Sequence, residues 1–426
     1  MHDRESQVTP KNDRWKWISV LIIAIVLIVG VEVCRGRLHH APPLGQAPPI
    51  ATRTEPATMR LPASIPIPAV EVSKKIDHSG EVEVCGVGKV KIDREDWTAT
   101  GKYFDALTKE SRMRWLSALR NSDDYRARAT GLYLDNILDR DAPQTDPGLA
   151  RDELVQLAVG TRDPAIFALA HSKCTKGLQD SSSHEACPQL SIEQWTRADA
   201  DNAVPWLELA AKARRENDSA AEAAAFSHAS QAHQYETYSW SMFEFAEAPI
   251  PSDVTAADRW YLTVELIGVE AAMPMPYQPL FQYCSRDALN DAKRRQCSEL
   301  AELMVAKATT LLDFSMGISL GARVGWPAER IGNLKQQVNA SMQAIMQMTP
   351  SDPDQQWSCD AVARGNAYMS EWVQLGELGV ARAEIERSGE TVAELSRKHL
   401  DYMDKASRDA QQRTQDQPAA PQPELP

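Results

Sequence analysis

The cysteines hold most of the chemistry that spacing alone can suggest in this 426-residue chain. Cys174 and Cys187 enclose twelve residues, and so do Cys284 and Cys297. In an oxidising compartment such pairs form local disulfides that close short segments between helices. Cys85 and Cys359 are then left to pair across most of the domain. Loop-closure entropy assigns ~3 kcal/mol to each local bridge and ~5 kcal/mol to the long one. Six cysteines allow ~15 connectivities, so spacing selects this set without excluding the others. A zinc site is the competing chemistry at the first pair. His171-Ser172-Lys173-Cys174 and His184-Glu185-Ala186-Cys187 are two H-x-x-C units, and two His with two Cys satisfy tetrahedral zinc. The second cysteine pair has no accompanying histidines, and Ser181-Ser182-Ser183 reads as an ordinary loop, so disulfides without metal are the preferred reading.

No catalytic or cofactor-binding residue stands out. Cys85-Gly86-Val87-Gly88-Lys89 lacks the glycine spacing and the Ser or Thr after lysine that a phosphate-cradling loop requires. His228 and His233 are five apart and diverge around a helix, whereas zinc-binding pairs sit four apart. Glu265 with Glu270, or Asp199 with Asp201, could serve as acid/base pairs for glycan hydrolysis, but nothing in the sequence marks them as desolvated or converging. No Gly-x-Ser-x-Gly elbow is present. The aromatic run Tyr235, Tyr238, Trp240, Phe243 and Phe245, with Trp260 and Tyr261, offers either a peptide-binding groove or core packing, and packing is the default. A net charge of −13 argues against a nucleic-acid partner, whose phosphates need clustered Lys and Arg.

The elements that must position these residues read as helices. Ala, Glu, Leu, Gln and Met are abundant and β-branched residues sparse, so the fold class is all-α, as stacked helical hairpins with a solenoid as one form. The exception is Glu81-Val82-Glu83-Val84 and Lys89-Val90-Lys91-Ile92, which alternate polar and apolar around Gly86-Val87-Gly88 and predict a short N-terminal β-hairpin lying on the helices. Helices are expected over 102–119, after the cap at Asp123-Asp124, after Asp163-Pro164, over 255–273 and over 298–312. Between Asn202 and Gln234, Trp206, Leu209, Ala210 and Ala213 form one apolar face, Asn217-Asp218-Ser219 breaks the helix, and Phe226 and Ala229 form a second. This spacing resembles a tetratricopeptide-repeat hairpin. Glu222 falls where that family has a small residue, and Gln234 where it has proline. The resemblance covers one unit, and it implies a helical pair suited to peptide or protein binding.

Residues 17–34 are the expected transmembrane anchor. Ile18 to Val31 is nearly all apolar, with Trp15 and Trp17 at its edge, and no small-residue cleavage pattern follows. Arg4, Lys11, Arg14 and Lys16 precede it, which places residues 1–16 in the cytoplasm. Cys34, at the end of the anchor, reads as a free interfacial thiol. Residues 35–75 are a proline-rich linker, whose proline-dense stretch from Ala41 to Pro68 could reach ~90 Å in polyproline form. Residues 76–405 form the exported helical domain and 406–426 a disordered tail. The combination describes a single-pass protein of the bacterial inner membrane with a periplasmic module that binds a protein or peptide partner. An envelope enzyme acting on cell wall is the rival. A eukaryotic secretory protein, glycosylated at Asn217 and Asn339, is a third possibility.

Overall fold

A computed structural model describes residues 81–416, apart from 92–96, 136, 139–146, 177–185, 248, 274–276, 349–354 and 356. The expected anchor 17–34, Cys34, the linker 35–75 and His184 lie outside the described residues. No described helix is long and apolar enough to cross a membrane.

The chain starts with strands β1 (Glu81–Val84) and β2 (Gly88–Lys91), antiparallel with Val82 opposite Val90 and Val84 opposite Gly88. Gly86 and Gly88 supply the left-handed backbone of the turn, at φ 79° and 98°. Val82 and Val84 point inward and pack on Ala257 and Tyr261, so a hairpin too small to stand alone borrows a helical surface. The Cys85–Cys359 bridge, with Cα atoms 4.6 Å apart, and a hydrogen bond from Cys85 N–H to the Trp357 carbonyl (2.9 Å) fasten it there.

Fifteen helices follow among the described residues. They are α1 (Trp97–Arg120), α2 (Tyr125–Leu134), α3 (Pro147–Thr161), α4 (Pro164–Lys176), α5 (Ile192–Ala198), α6 (Ala203–Arg215), α7 (Ser219–Gln231) and α8 (Ser241–Glu247). Then come α9 (Ala256–Ala271), α10 (Tyr277–Tyr283), α11 (Asp291–Lys307), α12 (Leu311–Val324), α13 (Ala328–Met348), α14 (Cys359–Ser388) and α15 (Val392–Asp416). The fold is therefore mainly helical with one small hairpin. Consecutive helices pair, α3 with α4, α6 with α7 and α11 with α12, while α9 and α14 meet from distant parts of the chain. One core runs from Trp115 and Leu119 through Leu154, Phe226 and Met304 to Val380.

Side-chain caps explain most of the helix starts. Asp124 accepts from the N–H groups of Arg126 and Ala127, Asp163 from those of Ala165 and Ile166, and Asp218 from those of Ala220 and Ala221. The expected helix over 298–312 is instead two helices. Asn290 caps α11 eight residues before Ser298, and Thr310 caps α12 by accepting the Asp313 N–H (3.0 Å). In residues 406–416, part of the expected tail, α15 continues to Asp416. Ala406, Ala410, Gln411, Gln412 and Arg413 are good helix formers, and no proline intervenes before Pro418.

Within 202–234 the buried stripe of α6 differs from the expected one. It runs through Ala203, Val204, Leu207 and Ala210, and Leu207 is wholly buried. Trp206 lies half-buried at the edge, because its indole N–H donates to the Ala200 carbonyl (2.9 Å) and its ring stacks on His228 at 4.3 Å. Glu222 is held by Arg214 on the facing helix (2.7 Å).

Candidate functional site

The disulfides are Cys85–Cys359, Cys174–Cys187 and Cys284–Cys297. With their sulfurs joined, Cys174 and Cys187 present no thiolates to a metal, and of the zinc alternative on His171, Cys174, His184 and Cys187 the structure describes all but His184. His171 lies 3.5 Å from the Glu208 carboxylate. No group of three His, Cys, Asp or Glu among the described residues is placed to hold a metal ion.

The carboxylate pairs singled out by sequence do not converge. Glu265 is paired with Arg112 (2.5 Å). Glu270, almost fully buried, accepts the backbone N–H groups of Trp240 and Met242, so it fixes the entry to α8. Asp199 accepts from the Tyr238 hydroxyl (2.8 Å) and the Asn202 amide (2.7 Å), while Asp201 faces solvent beside His233.

A different set of residues does meet. A cleft of about 360 Å³ opens between the 236–241 segment with α8 and the middle of α14, and Glu236, Tyr238, Trp240, Glu244, Trp372 and Glu377 line it. Its first wall depends on Asn202, which is fully buried. The Asn202 amide donates to the Glu236 carbonyl (2.9 Å) and its oxygen accepts the Glu236 N–H (3.0 Å). Beyond that clamp, Tyr238 and Trp240 adopt φ 56° and 72°, a region that bulky side chains rarely occupy. The Glu236 carboxylate accepts the Tyr238 N–H (2.9 Å) and Glu270 accepts that of Trp240, so surrounding contacts hold the strain in place.

The second wall is a break in α14. Gly376 stands at φ 70°, ψ 168°, and backbone and side-chain groups just beyond it bond to the turn between α11 and α12. Leu378 N–H donates to the Thr309 carbonyl (3.0 Å), and the Glu377 carboxylate accepts the Leu311 N–H (2.8 Å) at the start of α12. A Cβ on residue 376 would sit 3.1 Å from both the Thr309 carbonyl oxygen and its Cβ. Gly389, which ends α14 at φ 67°, has nothing within 4 Å of the same position. Gly376→Ala should therefore cost about 2 kcal/mol or more, and Gly389→Ala about 1 kcal/mol. Urea unfolding midpoints check both; equal costs would remove the special role of the break.

Neither family models nor curated proteins nor solved structures match this chain. The chemistry of the cleft is consequently argued from its own groups. Burial pushes the Glu236 carboxyl up to about 7, against the opposing Tyr238 N–H and with Asp313 and Asp199 adding like charge. Burial likewise raises Glu377 to about 7, opposed by the Leu311 N–H and reinforced by Asp313. Asp313 is itself raised by burial while accepting from the Thr310 and Tyr277 hydroxyls, both at 2.7 Å. Among the described residues, the charged groups that act on Glu236 and Glu377, Asp313 and Asp199, are carboxylates. Among the described residues Arg126 is the only basic side chain lining the cleft, and it is bonded to Asp163 (2.7 Å).

Tyr238, Trp240 and Phe245 of the aromatic run reach this cleft, whereas Tyr235 and Phe243 are buried and Trp260 with Tyr261 packs the hairpin. The sequence reading missed Glu236, Glu377 and Asp313. Two signals were available: a glutamate inside the aromatic run, and Gly376 with Gly379 interrupting a long helical pattern.

Proposed function

We propose that this chain is a non-catalytic binding module whose cleft takes a segment of a peptide or protein partner, and that the module is held outside the cytoplasm on a membrane-anchored arm. The observation that carries the reading is a cleft in which aromatic rings from two walls, Trp240 and Trp372 at 4.9 Å between centroids, stand beside two carboxyls with raised proton affinity. Such sites combine apolar contact area with a few oriented polar groups. Three disulfides suit an oxidising compartment. The tetratricopeptide-like character of the α6–α7 pair, and stacking of helical pairs as a binding scaffold, belong to the same proposal.

Selection of random dodecapeptides on the full chain in detergent tests it. Enriched sequences should bind the natural chain and lose affinity by about tenfold or more on Trp240→Ala and on Leu375→Arg, the latter an exposed position on the cleft wall that spares the core. Absence of enrichment, or peptides indifferent to both variants, would count against the reading.

One observation favours a second reading. Two carboxyls at about 7 lining one cleft could supply the general acid and base for cell-wall glycan hydrolysis near neutral pH. Soluble fragments released from purified cell wall by the full chain, and lost on Glu236→Gln or Glu377→Gln, would replace the first reading with this one.

A further inference from the structure

We propose that the segment taken by the cleft presents a basic side chain, the ammonium of lysine or the guanidinium of arginine, to a carboxyl group of the cleft wall, Glu236 or Glu377. The inference rests on the binding reading above and specifies its ligand chemistry.

Charge balance is the first support. Glu236, Glu244 and Glu377 line the cleft, and Arg126, its one basic residue among those described, is already bonded to Asp163. An acidic segment would meet carboxylates on both walls, and a neutral one would leave Glu236 and Glu377 enclosed without a counter-ion. Enclosed carboxylates are costly until paired, so a cation brought beside either one gains from the pairing. Hydrogen-bonding capacity is the second support. The backbone N–H groups of Tyr238 and Leu311 bond one oxygen of each carboxyl, Oε1 of Glu236 and Oε2 of Glu377. Acceptor capacity remains on both for a charged donor. The third support is the ring lining. Tyr238 and Trp240, both partly exposed, line the cleft with π-systems whose quadrupoles attract cations, with Trp the strongest. The volume of about 360 Å³ accommodates such a side chain together with part of its neighbours.

The test uses dodecapeptides selected on the full chain in detergent. A lysine or arginine should recur at one position, and replacing it by glutamine should weaken binding by about tenfold or more. On the Glu236→Gln/Glu377→Gln chain, that replacement should change affinity by less than about threefold, because the charge then has nothing to pair with. Selected peptides without a basic residue, or a loss equally large on the variant chain, overturn the inference while leaving peptide binding standing. A selection that enriches nothing over the Leu375→Arg chain overturns the binding reading and the inference together.

Discussion

Replacing Glu236 and Glu377 together by glutamine raises the melting temperature of the full chain at pH 8 by roughly 5 °C and at pH 5 by only about a quarter as much. Both carboxyls have proton affinities raised from an ordinary 4.5 to about 7. Between those values the folded chain binds more protons than the unfolded one, so their contribution to stability is greatest at low pH. It declines as pH rises from 4.5 through 7, then levels off. After allowance for partial exposure, the charged forms above pH 7 cost on the order of 2 kcal/mol each. Glutamine removes that cost and keeps an oxygen to accept the Tyr238 and Leu311 N–H groups. Calorimetry of both chains at the two pH values isolates the difference from other titrating groups, such as His399, whose burial lowers its proton affinity. A double variant less stable than the natural chain at pH 8 would mean that the carboxylates already have cationic partners.

Loss of the Cys85–Cys359 bridge should be the largest single destabilisation, about 5 kcal/mol, against about 3 kcal/mol for either local bridge. It spans 274 positions of sequence, whereas the other two each span 13. The bridge also joins the hairpin to the first residue of α14, the helix whose break forms the second wall of the cleft. Cys85→Ser/Cys359→Ser and Cys174→Ser/Cys187→Ser, compared by urea unfolding, check the ranking. Mild reduction followed by alkylation mapping gives a companion result. Cys284 and Cys297 are fully buried, while Cys85 is half-buried and Cys359 exposed, so the long bridge should open first and Cys284–Cys297 last. A long bridge that costs no more than a local one would show that the hairpin contributes little to the cooperative unit.

Much of the helical pattern was legible because it is local. Asp124, Asp163, Asp218 and Thr255 announce helix starts through side chains that bond N–H groups two or three residues on. The hairpin was equally legible from its alternation around two glycines. The cleft was not, because its walls come from segments more than a hundred positions apart and meet through tertiary contacts such as Trp240 against Trp372. Nothing local to Glu377 reveals that its carboxyl caps another helix. Asp199 and Glu270 were noticed as charges, but both are structural acceptors that shape the 236–241 segment. Trp206 was assigned inward by period alone, yet a hydrogen bond to Ala200 and stacking on His228 keep it at the edge. The single break in α14 needed a glycine with left-handed φ, and a glycine in a helical pattern is too common to identify such a break alone.

The most direct measurement of the central claim is the number of protons exchanged when a selected lysine-containing peptide binds at pH 7. Titration calorimetry in two buffers of different ionisation enthalpy provides it. With both carboxyls at about 7, each holds about half a proton at that pH. A cation brought against a carboxyl favours its charged form, so binding should release protons, up to about half a proton for each carboxyl that the cation meets. No linked protons, or net uptake, would contradict the assignment of Glu236 or Glu377 as the group that meets the ligand.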